Sequence, residues 1–113
     1  MFEDWTSATA HLKQQFGELG KNHPKMLQAY GSLGAAAAEG NVLDAKTREL
    51  IALAVAVTTR CDGCIGAHAQ EAVKAGATEA EVAAALATAI SLNAGAAYVY
   101  SLHALEALKA NQK

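Results

Sequence analysis

Cys61-Asp62-Gly63-Cys64 sets two thiols three positions apart, and His68 follows four positions after the second. Two such thiols can close a disulfide when the first lies at a helix N-terminus and the second lies in its first turn. A helix N-terminus offers free N–H groups and partial positive charge, both of which stabilise a thiolate. Arg60 adds a nearby cation, and Asp62 opposes it. Residues four apart on a helix share a face, about 5–6 Å apart at Cβ. An imidazole at 68 can therefore take the Cys64 proton directly or through one water. Cys61, Cys64 and His68 lie along one helical stripe, a nucleophile and base with a second thiol ready to resolve the product.

Glu49 is twelve positions before Cys61. If the chain turns near residue 60, Glu49 and His68 return to comparable heights along a helical hairpin, at about 1.5 Å per residue. A carboxylate there can orient the ring and raise its basicity. Without the cysteines Glu49 reads more readily as a solvated residue of the early turns of a helix, because Glu is seldom buried. Metal binding fits poorly. Ligands at these three positions span about 10 Å of helix, too far for one ion with ligands at about 2.0–2.3 Å.

The elements that must position these residues read as helices throughout. Phe2, Trp5, Leu12 and Phe16 form a loose apolar stripe that Gly17 to Gly20 should break. Asn22 is a candidate cap for a second helix with Pro24 in its first turn, carrying Met26, Leu27, Tyr30 and Leu33 to about Ala38. Glu39-Gly40-Asn41 should end it. Asp44 reads as the N-cap of a third helix over 45–59, polar at first and then apolar on all sides, as buried helices are. A fourth helix follows to about Ala75, with Asp62 as a possible cap and Gly76 as the stop. Thr78 and Glu81 form a capping box for a fifth helix. Asn93-Ala94-Gly95 should separate it from a sixth that carries Tyr98, Val99, Leu102, Leu105 and Leu108. The expectation is one all-α domain over 1–113, a compact bundle of about six helices. With no strand pattern, the βαβ units of a thioredoxin fold are missing.

Composition agrees. Of 113 residues 28 are alanine, and only one is proline. Alanine favours helix and is poor in strands. A net charge of −2 gives no footprint for nucleic acid or an anionic membrane. The longest unbroken apolar run, Leu50 to Val57, is far shorter than the roughly 20 residues that span a bilayer. The acidic N-terminus is unlike a secretory signal. These features predict a cytoplasmic protein. Each alanine buries little area, at about 25 cal/mol per Å², so a chain this short should gain area by associating with copies of itself. His11, His23 and His103 have no partner at an informative spacing. Trp5, Phe16, Tyr98 and Tyr100 read as core or interface aromatics. Leu53, Ile65 and Leu92 are candidates to line the pocket.

The arrangement of Glu49, Cys61-x-x-Cys64 and His68 resembles the signature of the alkylhydroperoxidase D-like branch of the carboxymuconolactone decarboxylase superfamily. The stretches Gly66-Ala67-His68, Ala75-Gly76-Ala77-Thr78, Glu81-Val82 and Ala83 to Leu92 are similar to that family too, and the resemblance spans about residues 25–110. It implies an all-helical fold, a trimer or hexamer, and antioxidant thiol chemistry of the alkyl hydroperoxide reductase, or peroxiredoxin, type. On that pattern Cys64 attacks the peroxide, Cys61 resolves it, and Glu49 and His68 relay protons. No bound cofactor is implied; an external dithiol reopens the disulfide. One departure is Gly63, which stands where alkylhydroperoxidase D has a second histidine. Two other readings follow from the same residues. A carboxymuconolactone decarboxylase-like enzyme of aromatic degradation would need no CxxC. A redox-sensing oligomer would oxidise without efficient turnover.

Overall fold

The computed structural model describes residues 4–112. These residues form five α-helices: α1 (Trp5–Asn22), α2 (Pro24–Ala37), α3 (Ala45–Thr59), α4 (Asp62–Lys74) and α5 (Glu79–Asn111). A short 3-10 turn, Glu39–Asn41, follows α2. No strand occurs among the described residues, so the chain is all-α. Phe2, the first member of the expected apolar stripe, lies outside the described residues.

Local chemistry explains most of the boundaries. Asp4 caps α1, with its carboxylate accepting from the Ser7 N–H at 3.1 Å. The Asp44 carboxylate accepts from the Thr47 N–H at 2.8 Å and starts α3. The Thr78–Glu81 capping box is complete, with Oγ1 accepting from the Glu81 N–H at 3.1 Å and Oε1 accepting from the Thr78 N–H at 3.0 Å. Helix α4 ends in a Schellman turn: Gly76 has φ +83°, and the Ala77 N–H reaches the Ala72 carbonyl at 2.9 Å. Pro24 opens α2 at its first turn, where a missing N–H costs nothing.

Four expectations need correction. Helix α1 runs through Gly17 to Gly20 instead of breaking there. Gly20 serves close packing, because a Cβ at that position would stand 2.5 Å from Leu27 Cδ2 of α2. Asn22 does not cap α2. It belongs to α1 and donates to the Glu18 carbonyl, while His23 sits at the junction without a side-chain cap. The fifth and sixth helices are one, since α5 continues through Asn93-Ala94-Gly95 for 33 residues. Asn93 is tolerated inside it because its side-chain amide donates to the Ala89 carbonyl at 2.7 Å. Finally, α3 is not buried on all sides. Leu53 and Ala56 are buried, but Ile51 and Val55 remain about half exposed.

Helix α3 is the hub, packing on α4 and α5; α1 packs on α4, and α2 packs chiefly on α1. A salt bridge from Lys46 to Glu81, 2.8 Å, ties the start of α3 to the start of α5. The packing is open. The radius of gyration is 18.5 Å, against about 13 Å for a globular chain of this length. Every residue of α2 is exposed, and so is every described residue from 90 onward. Helix α5 is long and apolar enough to cross a membrane by length and composition, and 6% of its most apolar 18-residue stretch is buried.

Candidate active site

The turn between α3 and α4 builds the site. Arg60 takes a left-handed conformation, φ 56° and ψ 48°, and ends α3. The Cys61 N–H then reaches back to the Ala56 carbonyl at 3.0 Å. This reverses the chain within one residue and lays α4 against α3. Cys61, not Asp62, is the N-cap of α4: its sulfur accepts from the Cys64 N–H at 3.2 Å. Asp62 is the first residue inside the helix. Cys61 and Cys64, with Cα atoms 5.2 Å apart, are joined by a disulfide.

The same hairpin brings Glu49 of α3 to His68 of α4. Glu49 Oε2 and His68 Nδ1 are 2.6 Å apart. The Glu49 side chain is 20% exposed and that of His68 41%. With Nδ1 engaged by the carboxylate, Nε2 is the nitrogen left to exchange a proton with a substrate or thiol. The four residues singled out in the sequence thus form two pairs, a disulfide and a carboxylate–imidazole pair, on one helical hairpin. Among the described residues, no group of three or more His, Cys, Asp or Glu side chains is placed to hold a metal ion.

Helix α1 closes the other side. Thr9 is 3% exposed and lies against Gly66, where a Cβ would come within 3.2 Å of the Thr9 Cβ. Gly66 therefore sets how closely α1 crosses α4. That crossing opens a cavity of about 460 Å³ over the disulfide, lined by Cys61, Cys64, Ala67 and His68 from the α4 side and by Leu12, Lys13, Phe16 and Tyr30 from the other. Phe16 and Tyr30 meet with ring centroids 5.5 Å apart. Both rings also line a second apolar cavity of about 420 Å³, continued by Leu19, Met26 and Leu27.

The expected lining residues Leu53, Ile65 and Leu92 are not in the wall. Leu53 is core, 5% exposed, and Leu92 is 74% exposed on α5. The wall residues Leu12, Phe16 and Tyr30 were visible in the sequence only as helix-face apolar positions. The mid-helix glycine at 66 was the one clue that another helix must approach here. Of the remaining histidines, His103 stacks on Tyr100 with centroids 4.6 Å apart.

Comparison with known proteins places this architecture. The family model described as the carboxymuconolactone decarboxylase family matches residues 24–107. The chain belongs to that family. A relative from Haemophilus influenzae, an uncharacterised protein, is 81% identical over 107 residues and covers 95% of each chain. An uncharacterised protein of Cupriavidus necator is 33% identical over 105 residues, 93% of each chain. Among solved structures, a carboxymuconolactone decarboxylase family protein from Legionella pneumophila superposes with TM-score 0.74 at 37% identity, over 96% of this chain and 97% of that one. A protein from Methanobacterium thermoautotrophicum gives TM-score 0.67 at 32% identity, over 74% and 93%. A CxxC pair on this family's fold is compatible with the alkylhydroperoxidase D-like reading.

Proposed function

We propose that this protein is a thiol-dependent hydroperoxide reductase of the alkylhydroperoxidase D-like type. The observation that carries the reading is the pairing of a closable Cys61–Cys64 disulfide with a carboxylate-held imidazole, both on the α3–α4 hairpin beside one apolar cavity. In the reduced protein His68 Nε2 takes the Cys64 proton. The thiolate attacks a peroxide oxygen, the O–O bond breaks, and the leaving alkoxide recovers a proton from His68. The products are an alcohol and a Cys64 sulfenic acid. The Cys61 sulfur, held at the N-terminus of α4 where backbone N–H groups favour a thiolate, attacks the Cys64 sulfur. Water leaves and the disulfide closes. A dithiol then donates two electrons and two protons to regenerate both thiols, and leaves as its own disulfide. Glu49 holds the ring and stabilises its protonated form.

The working unit we propose is a homo-oligomer. The apolar face that α5 exposes beyond residue 90, with Leu92, Tyr98, Val99, Leu102, Leu105 and Leu108, is left uncovered within one protomer, and a second copy supplies matching helices.

Steady-state consumption of an organic hydroperoxide, driven by dithiothreitol or dihydrolipoamide, tests the enzyme reading. Turnover that stops on thiol alkylation and in Cys64→Ser supports it. Alkylation without effect on activity toward a lactone acid favours a decarboxylase. One oxidation event per chain with no further turnover marks a redox sensor.

A further inference from the structure

Resting on the hydroperoxide reading, we infer that the substrate is amphipathic and anionic: an organic hydroperoxide whose apolar chain ends in a carboxylate. The cavity over the disulfide is walled by Leu12, Phe16, Tyr30 and Ala67, and the second apolar cavity begins on the far side of Phe16 and Tyr30. A trough of this kind accommodates a hydrocarbon chain and contributes little to binding hydrogen peroxide. Its charge is one-sided. The lining includes one lysine, Lys13, and no Asp or Glu; the Glu49 carboxylate is engaged by His68 behind the wall. Lys13 Nζ donates to the neutral Gln70 Oε1 of α4 at 2.7 Å, and among the described residues no carboxylate pairs with it. The amide holds the ammonium without neutralising it. A carboxylate on the substrate supplies the missing counter-charge, while its chain lies on the aromatic wall and its peroxide reaches Cys64. The redox step is unchanged: the hydroperoxide becomes the alcohol plus water, and two cysteine thiols become the disulfide.

The test compares a fatty-acid hydroperoxide, linoleic acid hydroperoxide, with its methyl ester, both below micellar concentration and with dithiothreitol as reductant. The pair differs in charge and by one methyl group, and the added methyl should favour the ester in an apolar trough, so a preference for the acid reports the charge. The native protein should favour the acid over the ester by about fivefold in kcat/KM, the scale of one partly exposed ion pair, with the difference in KM. The preference should shrink as salt rises. In Lys13→Gln the acid-to-ester ratio should fall to near one, and in Lys13→Arg it should persist. A native ratio of one or less overturns the inference, and so does a preference that survives Lys13→Gln. Failure to turn over the acid, the ester and tert-butyl hydroperoxide alike instead overturns the hydroperoxide reading itself, and the substrate inference with it.

Discussion

Replacing Glu49 by Gln removes a charge while keeping a group of nearly the same shape against His68. In the structure the carboxylate meets Nδ1 at 2.6 Å. A hydrogen bond with one ionised partner contributes about 1.5–3 kcal/mol, against about 0.5–1.5 kcal/mol for a neutral one. The substitution therefore gives up roughly 1–1.5 kcal/mol at the moment the ring carries the proton. With 41% of the imidazole side chain exposed, water screens part of this, and about 1 kcal/mol is the fair figure. It corresponds to roughly fivefold slower oxidation of the reduced protein, since about 1.4 kcal/mol is tenfold. The assay is rapid mixing of reduced protein with a hydroperoxide, acid quench, alkylation of remaining thiols and mass measurement of the disulfide fraction over time. His68→Ala should slow the step further. The double variant should be no slower than His68→Ala alone, because Glu49 acts through the ring. A Glu49→Gln rate equal to the native one, or additive losses in the double variant, would refute the coupling of carboxylate, ring and thiol.

Other consequences follow from the same geometry. Gly66→Ala should lower thermal stability by about 1–3 kcal/mol, because the new methyl group strikes Thr9; part of the loss should return in a Thr9→Ala background, read as Tm. Arg60→Gly should leave stability equal or raise it by about 1 kcal/mol, since Arg60 sits at φ 56°; a clear fall in Tm would show that the side chain matters more than the backbone. Acid should weaken the fold. The Asp44 carboxyl is held below its ordinary 3.8 by hydrogen bonds from Thr47, and Glu81 below its ordinary 4.5 by Lys46 and the Thr78 backbone. Their stabilisation is complete above those ordinary values and is lost as pH falls through the lower folded-state values, so Tm measured from pH 5 downward should drop less in Glu81→Gln than in the native protein. In solution the particle mass should be a multiple of 11.6 kDa, and Leu102→Asp with Leu105→Asp should shift it toward one chain by sedimentation. A monomeric native protein, or one that partitions into liposomes through α5, would contradict the assembly proposed.

Much of this was legible in the residues. Asp44, Thr78 and Gly76 announce their helix ends through side-chain oxygens and a left-handed turn, which are local effects. The meeting of Glu49 with His68 was legible because helix rise and a turn near 60 fix their heights. Three features were not. A bend near 60 was legible, but not its form: Arg60 makes it in a left-handed conformation, which nothing in a non-glycine's type signals. The uninterrupted α5 hides behind Asn93 and Gly95, which usually weaken helices, because alanine on both sides and the Asn93 bond to the Ala89 carbonyl outweigh them. The cavity wall comes from α1 and α2, whose Leu12, Phe16 and Tyr30 have the same helical spacing whether they face a core, a copy of the chain or a substrate. Only the position of α1 across Gly66 separates these cases, and that is a tertiary fact.

The account rests on the inner sulfur as the atom that meets peroxide. Reduced Cys61→Ser protein, treated with one equivalent of organic hydroperoxide, isolates that step because the resolving thiol is gone. Intact-mass and peptide analysis should find one added oxygen on Cys64, trapped by dimedone, with one equivalent of alcohol released. An unmodified Cys64 with the peroxide intact would contradict the account.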